Sequence, residues 1–327
     1  VSLPSFQLLR PASLAEATRM LAAHAGEARV IAGGTDLLPS MKQKLFTPPF
    51  VLDLRAVGEL RGTKTEADGG VSIGALTTLA EVEHSALIRQ EFRVLYEATR
   101  TVASPVLRNM GTIGGNICLD TRCLWYNQSL LWRKSCGFCL KKDGDLCHVA
   151  PSSKICWAAF SGDTPPALLC LGAEVEIASA NGSRRVPLAE FYVNDGMVRL
   201  HIEPDELVTR IILPPSSRGW RGSYQKLRVR GSIDYPLAGV AVALKLDRGR
   251  VEDARMAITA VNPAPHLIKD FDACVLGAEI SQELAEKAGE FAARTAKPLT
   301  TSALTPEYRR EMVKVFAKRA LLQAVAN

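Results

Sequence analysis

"VIAGGTDLL", residues 30–38, decides how this sequence is read. A short apolar run ends in two consecutive glycines, and a helical segment, "LLPSMKQK", follows. Glycine allows close backbone approach and positive φ. Consecutive amides in such a turn form a concave nest for an anion, and a pyrophosphate suits it. The loop has neither the Walker A sequence nor the Rossmann spacing. Alone it says little, because glycine marks turns everywhere. A second loop of the same texture, "RNMGTIGGNIC" at 108–118, shifts the balance. Two glycine loops, each beside a strand, point to a cradle for a dinucleotide.

Outward from these loops, the N-terminus reads strand, helix, strand. "SLAE" at 13–16 and "TLAE" at 78–81 are capping boxes. Leu14, Ala17, Met20 and Leu21 form a helical apolar stripe after the first. "FVLDL" (50–54) and "VSIGA" (71–75) read as strands. The pattern predicts a helix over 91–104 ending near Ser104-Pro105, with "GTIGGN" as a loop after it. "TPPALLCL" (164–171) is a buried run. "AEVEIASANGSRRVPL" is a hairpin turning at Asn181-Gly182. After the linker "LPPSSRG" (213–219) the texture changes to a strand meander, "SYQKLRVR", "AGVAVALKL" and "DARMAITAV". An alanine-rich helical tail starts near 281. The expectation is an α+β chain with a boundary near 219 and no repeats.

Composition narrows the function. The 327 residues are 47% hydrophobic and 23% charged, an ordinary globular balance that predicts two or three domains. The net charge of +6 is dispersed, so nucleic-acid binding is not indicated. No apolar run reaches 18 residues and the start does not read as a signal peptide, so a cytoplasmic chain without a membrane partner is expected. Five of the eight cysteines lie between 120 and 160: Cys123, Cys136, Cys139, Cys147 and Cys156. A disulfide framework belongs to small secreted chains, so metal-binding thiolates fit better here. Only one close pair exists, Cys136-x2-Cys139, and the other spacings are irregular. On spacing alone, iron–sulfur and zinc stand about even.

"AGGTDLL" followed by "GTIGGN" resembles the flavin subunits of the molybdenum hydroxylases, the xanthine and carbon monoxide dehydrogenase relatives. "SGDTPPALLCLGAEVEI" (161–177), "ELVTRIILPP" (206–215), "YQKLRVR" (224–230) and "PLAGVAVAL" (236–244) extend the resemblance over nearly the whole chain. It implies a two-part FAD-binding domain of the vanillyl-alcohol-oxidase type, residues 1–57 and 58–219, then an α+β C-terminal domain, 220–327. It implies FAD contacts from Val30, Ile31, Ala32, Gly33, Gly34, Thr35, Asp36 and Leu37, with Gly33, Gly34 and Thr35 closest to the pyrophosphate. Thr112, Ile113, Gly114, Gly115 and Asn116 would form the second loop. Asp163 and Lys226 match an acidic residue and a flavin-side lysine of the family. Val102 and Val208 match weaker, packing positions. From the residues alone, Asp163 reads as a helix cap and Lys226 as part of a solvated strand.

The plain family runs from "GGN" almost directly to the segment holding Asp163. Here about 40 extra residues intervene, roughly 120–158, and they hold all five clustered cysteines. A flavin host has a use for a redox centre and little need for zinc. The pieces "DTRCLWYNQS", "CLKKDGDLCHV" and "CWA" resemble the insert of 4-hydroxybenzoyl-CoA reductase flavin subunits. That resemblance implies a [4Fe–4S] cluster on Cys123, Cys139, Cys147 and Cys156, with Cys136 spare. His148 is read as a neighbour of the cluster or a surface residue, Cys118 as part of the ordinary loop, and Cys170 and Cys274 as buried. The implied enzyme removes a phenolic hydroxyl reductively. Electrons would pass from a ferredoxin-like donor through [4Fe–4S] and FAD to two [2Fe–2S] clusters on a small subunit and a molybdopterin cofactor on a large one. A dimer of heterotrimers is expected. An outward-passing aldehyde or N-heterocycle dehydrogenase subunit is the alternative.

Overall fold

In a computed structural model, which describes residues 2–327, the chain builds three sheets, each with its own helices. The first is parallel. Strands β1 (Gln7–Leu9) and β2 (Ala28–Ile31) flank β3 (Phe50–Asp53), in the order β1-β3-β2. Helix α1 (Leu14–Ala23) crosses between β1 and β2, and α2 (Leu37–Lys42) follows the first glycine loop. At α1, Ser13 Oγ accepts from the Glu16 amide, but Glu16 reaches back to the Ala12 amide, one residue beyond the box.

The second sheet is antiparallel, in the order β4-β5-β8-β6-β7. It comprises β4 (Thr63–Thr65), β5 (Val71–Gly74), the hairpin β6 (Glu174–Ser179) and β7 (Gly182–Pro187), and β8 (Leu207–Leu213). The hairpin turns where Asn181-Gly182 predicts it. Between β5 and β6 run α3 (Leu79–His84), α4 (Ala86–Glu91), α5 (Arg93–Arg100), α6 (Pro105–Arg108), α7 (Ile113–Ile117), α8 (Leu130–Ser135) and α9 (Thr164–Cys170). At α3 the Thr78–Glu81 box is complete.

Two expectations change here. The helix expected over 91–104 is the shorter α5, which starts after Phe92 and stops at Arg100, and Ser104-Pro105 starts α6 rather than stopping its predecessor. Ser104 Oγ caps the Leu107 amide, and proline at the first helical position needs no hydrogen-bond partner. "GTIGGN" is likewise not a plain loop. Thr112 caps the short α7, which runs through both glycines.

The third sheet, β12-β11-β10-β9, is the expected meander. It comprises β9 (Arg221–Leu227), β10 (Ala238–Asp247), β11 (Arg250–Thr259) and the short β12 (His266–Leu267). Along β10, Val240, Val242 and Leu244 alternate with Ala241 and Ala243. The larger set packs on α12 (Gln282–Ala293) and α13 (Pro306–Ala326), with α11 (Phe271–Val275) beside them. The alanines face the core of the second sheet. A strand buried on both faces explains why "AGVAVAL" is continuously apolar. A last small helix, α10 (Leu188–Phe191), follows β7. The α+β expectation is met, and no helix among the described residues is long and apolar enough to cross a membrane.

The cysteine-rich segment leaves the second part through a narrow neck. Arg122 and Ala159 exchange both backbone hydrogen bonds, each 2.8 Å. Beyond the neck, Tyr126 and Cys139 pack on Leu45, with Phe46 and Cys123 at the margin. The buried guanidinium of Arg133 donates to the carbonyls of Gln43 and Lys44. The insertion is therefore seated on the end of α2, not hung in solvent.

Candidate cofactor cleft and cysteine cavity

The two glycine loops face each other across one wall of a cleft of about 1040 Å³, at the upper end of what ligand sites occupy. Every residue expected on this cleft lines it except Ile113 and Lys226. Ile113 points into the core of the second part. Lys226 sits behind the wall, as described below.

The loops do different jobs. In the first, the amides of Gly33, Gly34, Thr35, Asp36 and Leu37 donate to no protein acceptor among the described residues. Gly34 takes φ +72°, a conformation favouring glycine. These free amides beside the start of α2 make the expected anion nest. In the second loop the amides are already used. Ile113 N–H bonds Thr77 O at 3.0 Å, Gly114 N–H bonds Ala75 O at 3.0 Å, Gly115 N–H bonds Thr112 Oγ1 at 3.1 Å and Asn116 N–H bonds Thr112 O at 2.9 Å. The expectation of two nests is corrected to one. Asn116 Oδ1 also accepts from the Thr164 amide at 3.1 Å and its hydroxyl at 2.7 Å, fastening this loop to the start of α9. Of its three glycines, Gly111, Gly114 and Gly115, all on the cleft wall, only Gly115 is exposed.

Glycine at 33 answers a different need. A Cβ there would lie 1.8 Å from the carbonyl oxygen of Met110. The first loop lies directly on the second, and that contact sets the shape of the wall.

Asp163 stands at the start of α9 but caps nothing. Its Oδ1 accepts from Tyr224 Oη at 2.8 Å and its Oδ2 from Lys226 Nζ at 2.9 Å, both side chains of the pair being buried. Lys226 also donates to Thr101 O at 2.9 Å. The residue-level readings of a helix cap and a solvated lysine are both replaced by one buried ion pair. Burial pushes the Asp163 carboxyl up, and the Lys226 ammonium opposes that.

Several cleft residues have no motif in the sequence to announce them. Arg29 lines the cleft over the Phe46 ring, with no carboxylate within ion-pair distance among the described residues. Arg122, from the insertion, bonds Asp36 of the first loop and Tyr235 of the β9–β10 loop, its guanidinium lying 4.2 Å from the Tyr235 ring centre. Asp120 and Arg199 line it as well. Arg29, one position before "VIAGG", is the only one whose sequence position offered a signal.

Beside this cleft the insertion encloses a small cavity. Cys123, Cys139, Cys147 and Cys156 all line it, with Trp125, Tyr126, Lys141 and His148. Cys136 does not. The His148 ring stacks on Trp125 at 4.3 Å, and Nε2 is 2.5 Å from Phe138 O, so it is a wall residue with a partner of its own. Among the described residues no three His, Cys, Asp or Glu side chains converge closely enough to hold a metal ion. Burial pushes the Cys123 thiol up to about 11 and the Cys156 thiol up to about 12. These thiols become thiolates only with a cation or cluster to compensate. Elsewhere, Cys170 is fully buried in α9, as expected, while Cys274 is half-buried rather than buried.

The model of the FAD-binding domain in molybdopterin dehydrogenases matches residues 4–216, and that of the carbon monoxide dehydrogenase flavoprotein C-terminal domain matches 222–324. The chain belongs to the FAD-binding subunits of the molybdopterin dehydrogenases. It is 31% identical to the carbon monoxide dehydrogenase medium chain of Afipia carboxidovorans, over 99% of this chain and 98% of that one. It is 30% identical to the glyceraldehyde dehydrogenase medium chain of Sulfolobus acidocaldarius, over 97% of each. Among solved structures, carbon monoxide dehydrogenase from Oligotropha carboxidovorans superposes with a TM-score of 0.83 at 29% identity, over 100% of this chain and 99% of that chain. The fold is that of such a medium subunit, and FAD is the cofactor of this oxidoreductase family. The cleft fits it: a free amide nest, an unpaired arginine and room for a dinucleotide lie together.

Proposed function

We propose that the chain is the FAD- and [4Fe–4S]-carrying electron-transfer subunit of a 4-hydroxybenzoyl-CoA reductase-type enzyme. The observation that carries the reading is the gathering of Cys123, Cys139, Cys147 and Cys156, without Cys136, around one cavity beside the flavin cleft. Four thiols of this kind suit the ligand set of an iron–sulfur cluster. The cluster exchanges single electrons, and flavin exchanges electrons singly or in pairs.

The residues divide the work as follows. The amides of Gly33 to Leu37 and the Arg29 guanidinium take up pyrophosphate charge. Thr112 to Asn116 hold the facing wall, and Asp163 with Lys226 fixes α9 behind the flavin. Val102 and Val208 shape the apolar lining. The substrate site lies on a large molybdopterin subunit, reached through the two [2Fe–2S] clusters of a small one, in a cytoplasmic dimer of heterotrimers fed by a ferredoxin-like donor.

A second reading has support in the relatives' names, which include glyceraldehyde dehydrogenase and nicotine 6-hydroxylase medium subunits. In it the same chain passes electrons outward. Anaerobic purification with iron, acid-labile sulfide and flavin analysis tests the first part. About four iron and four sulfide with one FAD per chain is expected, and Cys→Ser at 123, 139, 147 or 156 loses iron while Cys136→Ser keeps it. Zinc without sulfide refutes the cluster. Flavin reduction in the holoenzyme by an aldehyde or N-heterocycle, and not by a low-potential donor, favours the second reading.

A further inference from the structure

The cysteine cavity and the flavin cleft share a wall, and that wall contains a buried ion pair. Lys141 lines the cavity two residues after Cys139. Its Nζ donates to Asp120 Oδ1 at 2.7 Å, to Thr121 O at 3.1 Å and to Thr121 Oγ1. All three ammonium protons are thus spoken for. Nζ also lies 4.4 Å from the centre of the Tyr126 ring, and the Tyr126 hydroxyl donates to Asp120 Oδ2 at 3.0 Å. Asp120 belongs to the other side of the wall. It lines the cleft, where Arg199 Nε sits 3.3 Å from the same Oδ1. One carboxylate therefore holds one cation at the cavity and another at the cleft.

Both side chains of the Lys141–Asp120 pair are 10% exposed or less. A buried pair of this kind is weak support for stability, because an apolar side chain of similar volume often serves as well. A cation fixed beside a redox centre has a separate consequence. Reduction adds one electron and one negative charge to the centre, and a nearby positive charge favours that.

We propose that Lys141 is a positioning residue: held by Asp120, its ammonium raises the reduction potential of the iron–sulfur centre on Cys123, Cys139, Cys147 and Cys156, and Asp120 links that potential to the charge in the flavin cleft. The inference rests on the cluster reading above, and the test separates the two.

The protein is purified anaerobically, and iron, sulfide and FAD are measured in the wild type, Lys141→Met, Lys141→Arg and Asp120→Asn. Each is then poised at a series of potentials, with a chemical reductant as electron source, and the reduced centre is read by electron paramagnetic resonance. At a fixed potential the reduced-to-oxidised ratio in Lys141→Met falls by about tenfold, which for a one-electron couple is a shift of 59 mV. Lys141→Arg keeps the charge and stays close to wild type. Asp120→Asn removes the counter-charge and shifts the ratio the other way. Wild type without sulfide overturns the cluster reading and this inference with it. Sulfide present with an unchanged ratio in Lys141→Met overturns the inference alone and leaves the lysine a structural anchor. Should Lys141→Met lose its sulfide, Asp120→Asn decides, and an unchanged or lowered ratio there overturns the inference.

Discussion

Gly33→Ala tests how the cleft is built. The added Cβ would stand 1.8 Å from Met110 O, 2.5 Å from Met110 C and 3.0 Å from Gly111 N. All three are main-chain atoms, so no side chain can swing aside, and the two glycine loops must part. Overpacking typically costs about 1–3 kcal/mol, and a backbone clash belongs at the upper end. For 327 residues that lowers the melting temperature by about 4 °C. The free amides of Gly34 to Leu37 ride on the displaced loop, so flavin affinity falls too, by about 100-fold if most of the strain is expressed in the nest. Gly115→Ala is the control. Its Cβ meets only Thr112 Oγ1, at 3.1 Å, and the residue is open to the cleft. The flavin-free melting temperature should stay near wild type while affinity for FAD drops. Thermal melts of the deflavinated proteins, with fluorescence titration of added FAD, measure both quantities. A Gly33→Ala protein that melts like wild type and binds FAD as tightly refutes the locked-loop account.

Lys226→Met leaves the Asp163 carboxylate buried with only Tyr224 as donor, and should cost about 3–5 kcal/mol in urea unfolding. Adding Asp163→Asn should return part of that loss, since the stranded charge is gone; a double variant no more stable than the single one refutes the pairing. Arg309→Met should cost about 3 kcal/mol or more, because this fully buried guanidinium serves the carbonyls of Leu237, Leu299 and Ala260 and joins α13 to the third sheet. A loss under 1 kcal/mol in chemical denaturation means those carbonyls find other partners.

The sequence made legible whatever is set locally. The Thr78 box, the Asn181-Gly182 turn and the three strands of the meander each depend on a few neighbouring residues, and each formed as expected. The reading of Ser104-Pro105 as a helix end came from weighing proline as a breaker, when serine before proline is also a start signal. "GTIGGN" read as a loop because its three glycines disfavour a helix. The structure offsets that through the Thr112 cap and through backbone contacts with Ala75, so close that a Cβ on Gly114 would lie 2.7 Å away. Asp163, Tyr224 and Lys226 meet across more than 60 residues, a contact that no local pattern encodes. The division of labour between the loops was hidden for the same reason. Which amides stay free depends on what the partner strand and loop supply.

The cysteine-rich segment is tied to the rest of the chain at more than its neck. Its neck is a single residue pair, Arg122 with Ala159, exchanging both backbone hydrogen bonds. The same Arg122 then turns into the cleft and bonds Asp36 from the first part and Tyr235 from the third. Farther out, Arg133 grips the carbonyls at the end of α2, and Lys141 reaches back to Asp120. The contacts with the host reach three separate stretches, at Asp36, Gln43–Lys44 and Tyr235, from the start and middle of the insertion, while the Lys141–Asp120 pair ties its far turn back to its own base. A segment tethered only at its neck would swing relative to the flavin cleft. One held at three points keeps the thiol cavity at a fixed separation from it, as the electron transfer proposed above needs. The charged residues in this segment, which sequence reading passed over in favour of the cysteines, are therefore the ones that give the cysteines a defined place.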